Sequence, residues 1–256
     1  SSDLLAWLSS KRIRRGPIQI CFAFIVIAAG IGMTCCWLAY KADLVMTGWT
    51  HPHVLTSRDT PYGRVTLTGR DGQYSLYQND VLAYETEGTA AEVFIHPAAL
   101  QHPKPERVLL LGGGATGLIR EILRHHPKGI DVVEIDPESI NLVLSRLPAS
   151  DTGFLQDPRV SIVFADPRRF LKDSPTYDLI VVGMGEPASG TANRFYSREF
   201  FAQCARRLTS RGILALRLRG AENFWTPLMT HRMASIHAAL RQVFADCLFL
   251  PGEINV

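Results

Sequence analysis

The stretch Gly112-Gly113-Gly114-Ala115-Thr116-Gly117 carries the first chemical signal, because it fits G-x-G-x-x-G. Glycines at that spacing let backbone and ligand approach closely. An acid at the end of the next strand can then grip ribose hydroxyls. Glu134 and Asp136 stand where that acid is needed. Together these residues describe a nucleoside site. A purely structural tight turn would use the same glycines, so the surrounding elements decide.

Those elements fit. Val108 begins an apolar run through Leu111, the pattern of a buried parallel strand. Leu118, Ile119, Ile122 and Leu123 then recur at helical spacing over residues 118–125. Residues 131–135 form a second strand that delivers Glu134 and Asp136. The unit is βαβ. Pro137 opens a further helix carrying Ile140, Leu142, Val143 and Leu147. Strands are expected over 160–164, 177–182 and 212–218, with one more starting at 247–250. Helices are expected over 168–172, 197–208 and 230–244, and a polar, Gly-rich loop over 183–193. Strand and helix alternate, so the sheet is expected to be mostly parallel, with ligands at the carboxyl ends of its strands. Upstream, residues 64–68, 74–77 and 81–84 alternate as β-strands do. Asp71-Gly72 and Gln78-Asn79-Asp80 form the turns of a small antiparallel sheet.

The chain has 256 residues and a net charge of +3, which suits one globular domain plus an appendage. No Lys/Arg-rich run interleaves with aromatics, so nucleic acid is not an expected partner. The five cysteines include no C-x-x-C pair, which argues against a zinc site, and no metal is expected.

The appendage is N-terminal. Lys11, Arg12, Arg14 and Arg15 precede about 25 residues without a charge. At about 1.5 Å per residue that run crosses a hydrocarbon core of about 30 Å. Trp37 and Tyr40 sit where an interfacial aromatic belt would lie. The expectation is a transmembrane helix over 17–40, with a cleaved signal peptide as the alternative. Ala28, Gly30 and Gly32 give it a small-residue face that another helix could approach. The flanking charges put the N-terminus in the cytoplasm and the rest on the periplasmic or outer side. The expected division is 1–16 basic segment, 17–40 transmembrane helix, 41–88 β-hairpin region and 89–256 Rossmann-like domain. The chain starts without Met and ends abruptly at Val256, so further helices and a longer C-terminus are open.

The strand ends, read in order, resemble a known family. A β-hairpin region followed by VLLLGGGATGLIRE, VVEID, DPRV, FADPRRFL and YDLIVVGMGEP is similar to the spermidine synthase (polyamine aminopropyltransferase) family, and the resemblance runs over about residues 62–252. Asn193-Arg-Phe-Tyr-Ser197 ahead of Glu199-Phe-Phe resembles its membrane-fused branch. The resemblance implies a Rossmann-like, methyltransferase-type doubly wound sheet. It implies that Gly112, Gly113, Gly114 and Gly117 cradle an adenosyl compound, that Glu134 holds the ribose hydroxyls and that Asp166 meets the adenine amino group. The ligand would be S-adenosylmethionine, its decarboxylated form or methylthioadenosine.

The departures from the family pattern lie on the reacting side. Ala115 stands where the family has the Asp facing the ligand's amino-bearing tail. Gly183 stands at the Asp that helps deprotonate the attacking amine, with Glu186 three residues on. Gly63 follows Tyr62 in place of Gln, and Tyr84-Glu85-Thr86 replaces Tyr-His-Glu. Aminopropyl transfer needs a neutral amine, and an amine of pKa about 10 is protonated at pH 7. General-base help is worth roughly 10²–10⁴-fold. Glycine cannot give it, which leaves Glu186 and Glu85 as the candidates. The expected function is therefore a membrane-anchored, catalytically silent scaffold: a structural subunit of a membrane complex, respiratory or photosynthetic for example. Its partners would be the bilayer, through residues 17–40, and other membrane-protein subunits. The alternative is an active aminopropyl- or related transferase.

Overall fold

The structure is a computed structural model. It describes residues 17–187, 189–220, 224–250 and 254–255, giving backbone alone for 17–20, 219 and 254–255. The chain divides into two compact units, residues 1–54 and 55–256.

The first unit contains α1 (Pro17–Thr50). It is the one described helix long and apolar enough to cross a membrane, a property that a signal sequence shares. It runs on to Thr50 instead of stopping at Tyr40, because residues 41–50 hold no proline to break it. Side chains 21–42 are all exposed.

The second unit begins with a meander of β1 (Val54–Thr60), β2 (Gly63–Arg70), β3 (Gln73–Gln78) and β4 (Val81–Glu85), in sheet order β1-β2-β3-β4. Then follow α2 (Ala90–Ala99), β5 (Arg107–Leu111), α3 (Leu118–Leu123), β6 (Gly129–Glu134), α4 (Pro137–Arg146), α5 (Ala149–Thr152), a 3₁₀ turn, and β7 (Val160–Phe164). The chain continues with α6 (Pro167–Asp173), β8 (Tyr177–Val182), α7 (Gly190–Asn193), α8 (Arg198–Ala205), β9 (Leu208–Leu216), β10 (Leu218–Arg219), α9 (Pro227–Arg241) and β11 (Ile254–Asn255).

Five strands form a parallel sheet in the order β7-β6-β5-β8-β9. The strand order reverses beside β5, which is where doubly wound sheets bind ligands. Alternation along each strand splits the core. Val108, Leu110, Val132 and Val181 face α2, α3, α4 and the meander. Leu109, Leu111, Val133 and Val182 face Phe200, Phe201, Met233 and Ile236 on α8 and α9. Both faces are covered, so β5 and β8 carry unbroken apolar runs, Val108 to Leu111 and Leu179 to Val182.

Two Asp-Pro pairs start the helices that follow β6 and β7. Asp136 accepts from Glu138 N (3.0 Å), and Asp166 accepts from Arg168 N (2.8 Å) and Arg169 N (3.4 Å). In both, proline takes the first helical position, where a missing N–H costs nothing. Ser197 and Thr226 cap α8 and α9 in the same manner. The meander is fastened beside this edge: Thr60 donates to Asp136 (2.7 Å) and Gln78 to Ser139 (3.1 Å).

Several expected bounds move. The strand placed at 212–218 starts at Leu208, and Gly212 sits inside it, where a Cβ would come 2.9 Å from that of Leu208. The helix placed at 230–244 starts at Pro227 under its Thr226 cap. Residues 247–250 form no strand; β10 pairs instead with β11, antiparallel.

Candidate functional site

The carboxyl ends of β5, β6, β7 and β8 bring most of the expected residues to one edge of the sheet. After β5 the chain turns through Gly112 (φ 71°), Gly113 (φ 77°) and Gly117 (φ 76°). These are left-handed values that cost other residues energy. Space is tight as well: a Cβ on Gly112 would lie 2.5 Å from Met184 Cγ, and one on Gly117 2.9 Å from the Tyr84 ring. The loop is braced internally by Thr116, whose hydroxyl donates to the Gly113 carbonyl at 2.7 Å.

Glu134 ends β6 and is buried, at 6% exposure. Its Oε2 accepts from Gly114 N and its Oε1 from Ile135 N, both at 3.1 Å. Burial pushes its pKa up, and the backbone N–H groups of Gly114 and Ile135 pull against that. Glycine loop and acid are thus joined directly. A carboxylate held by two N–H donors keeps further lone pairs, which ribose hydroxyls can reach.

Asp166 follows β7, beside Glu134 across the ladder, where Ala165 N donates to the Glu134 carbonyl (3.1 Å). Its Oδ1 caps α6, and its Oδ2 takes Arg194 Nη1 at 2.7 Å. Arg194 belongs to the segment between α7 and α8. Sequence reasoning assigned it no role, since the pair joins residues 28 positions apart and no local pattern marks it.

The end of β8 is arranged differently. Gly183 has no room for a side chain: a Cβ there would lie 2.5 Å from the Gly112 carbonyl oxygen and 2.8 Å from Leu118 Cδ1. The glycine loop and the β8 turn are packed backbone to backbone. Tyr196 pins the same turn by donating to the carbonyls of Gly185 (3.0 Å) and Met184 (3.3 Å), and its burial raises its pKa. Glu186 pairs with Arg232 of α9 at 3.1 Å. Glu85 is exposed at the end of β4, opposite Ser75. Ala115 is buried in the core, at 2% exposure. The structure therefore groups Gly112, Gly113, Gly114, Gly117, Glu134 and Asp166, and it turns Glu186 toward Arg232. Among the described residues no cluster of three or more His, Cys, Asp or Glu is arranged to hold a metal ion.

A parallel doubly wound sheet with a glycine loop and strand-end acids defines an α/β protein of the Rossmann-like, methyltransferase type. Comparison with known proteins narrows the class. Residues 87–250 match the model of the spermine/spermidine synthase domain, and the chain belongs to that family. It is 32% identical over 197 residues to spermidine synthase 1 of Hyoscyamus niger, covering 76% of this chain and 58% of that one. It is 33% identical over 194 residues to spermidine synthase 1 of Pisum sativum, covering 75% and 54%. The chain thus spans little more than half the length of these curated relatives. A crystal structure of spermidine synthase in complex with the transition-state analogue AdoDATO superposes with a TM-score of 0.69 at 20% identity, covering 79% of this chain and 71% of that one. Spermidine synthase from Thermotoga maritima gives 0.66 at 19%, covering 79% and 70%. At such identities the superpositions establish the fold.

Proposed function

We propose that the chain is the donor-binding part of an adenosyl-sulfonium-dependent transferase of the aminopropyl-transfer type. The observation that carries this is the coupling of Glu134 to the glycine loop through Gly114 N, in a chain of the spermidine synthase family. Glu134 holds the ribose, Gly112 to Gly114 pass close to the donor, and Asp166 lies one strand further, within reach of the base. The donor is decarboxylated S-adenosylmethionine, and methylthioadenosine is its leaving product. The ammonium form of the acceptor first gives up a proton; the freed nitrogen lone pair then attacks the carbon beside the sulfonium, the C–N bond forms, and the C–S bond breaks with its electrons going to sulfur. Glu186, three residues past Gly183, is the carboxylate that takes this proton once Arg232 yields it. Residues 17–40 anchor the protein in a lipid bilayer. The test is release of methylthioadenosine by the full chain in detergent, supplied with decarboxylated S-adenosylmethionine and a diamine. Release that depends on Glu134 supports the proposal, and its absence with every amine offered rejects it.

A second reading has its own observation. Backbone fills the space beside Gly183, so the position of the family base has been closed rather than merely vacated. On this reading the domain is a silent subunit of a membrane complex. It stands on the periplasmic side, as the basic cluster Lys11 to Arg15 directs, and other membrane-protein subunits are its partners. Purification in fixed stoichiometry with such subunits, without turnover, would favour it.

A further inference from the structure

We propose that Arg194 is an internal competitor for the adenine end of the donor site, an inference that rests on the reading of Glu134 and Asp166 given above. Asp166 has two carboxylate oxygens and both are engaged: Oδ1 by the amide groups that open α6, Oδ2 by Arg194 at 2.7 Å. The capping bonds are part of the helix. Arg194 holds the oxygen that faces away from the helix, so an adenine amino group brought to Oδ2 competes with the guanidinium for it.

The arginine is poised for this exchange. Its neighbours Phe195 and Tyr196 are buried, at 6% and 4% exposure, and Tyr196 is tied to the β8 turn, so the backbone that carries Arg194 stays put. The guanidinium lies over the Phe195 ring, 4.4 Å from the ring centre. Its Nε is buried with no hydrogen-bond partner. It is thus held by one ion pair and a ring, and the side chain can swing out while the main chain keeps its place. The ion pair is about one-third exposed on each side, 34% for Arg194 and 31% for Asp166, so water and salt reach it. It joins the end of β7 to the segment after β8. Along the same edge of the sheet, β6 and β5 stand between them with Glu134 and the glycine loop.

The test is calorimetric titration of the full chain in detergent with methylthioadenosine, which carries no net charge. For the native protein, affinity rises with salt, because salt screens the competing ion pair and has no ligand charge to screen. Arg194→Met keeps the apolar contact with Phe195 and removes the charge. It is expected to bind about three- to fivefold more tightly at low salt, the scale of a partly exposed ion pair, with little salt response. Arg194→Lys restores a cation and is expected to regain the salt response, which also controls for misfolding. Equal affinity and equal salt response in native and Arg194→Met protein would overturn the proposal. Weaker binding by Arg194→Met would overturn it too, by making Arg194 a ligand contact. Binding by none of the three proteins would remove the donor-site reading itself, and the competition with it.

Discussion

The two halves of the strand-end edge have been treated differently. On the β5–β6 side, the glycines keep their left-handed turns and Glu134 remains buried against Gly114. On the β8 side, Gly183 is packed against the Gly112 carbonyl, Met184 lies over Gly112, and Glu186 is paired with Arg232. One half keeps an open backbone turn joined to a buried acid; the other has glycine packed against backbone where the family pattern has an acid. On the transferase reading, donor binding and proton removal therefore fall on different halves, and substitutions can address each alone.

Substitutions can break that separation, and the largest effect belongs to the rebuilt half. If Glu186 takes the proton, Glu186→Gln lowers turnover about 10²–10⁴-fold and leaves the affinity for methylthioadenosine nearly unchanged; kcat and binding measured on the same preparation check this. Next comes Glu134→Gln. Charge-assisted hydrogen bonds are worth about 1.5–3 kcal/mol, so affinity should fall roughly ten- to a hundredfold by calorimetry.

Gly183→Asp, which puts back the residue that the family pattern has there, sharpens the contrast. A Cβ 2.5 Å from a backbone oxygen must push the glycine loop aside. The variant is expected to lose about 1–3 kcal/mol of stability in a denaturant titration and to gain no activity. The mildest test is pH. Glu134 must be ionised to accept two ribose hydroxyls, and burial raises its pKa. Affinity should therefore fall on acidification with a midpoint above the ordinary value of about 4.3; a midpoint at or below that value would contradict the burial argument.

Much of the donor half could be read from residue order, because its determinants are local. Glycine spacing, the apolar run at Val108 and the Asp136-Pro137 and Asp166-Pro167 pairs each act within a few residues. The β1 strand was not legible. Its sequence VLTSRDT is polar, and its buried Ser57 is satisfied by Thr66 of β2 at 2.9 Å, a partner that the sequence alone does not reveal. The run CLFL at 247–250 misled in the opposite direction, since apolar residues show a wish for cover and not the form of it. The acceptor half was legible as substitutions only. That Gly183 has no space for a side chain, and that Arg194 holds Asp166, depends on packing between segments far apart in the chain.

The most direct test of the central claim is methylthioadenosine release, followed by mass spectrometry, from the full chain given decarboxylated S-adenosylmethionine and an amine acceptor. The account predicts release that falls about 10²–10⁴-fold in Glu186→Gln and, at subsaturating donor, roughly ten- to a hundredfold in Glu134→Gln. A protein that binds methylthioadenosine yet releases none with any amine would contradict the transferase and leave the silent subunit.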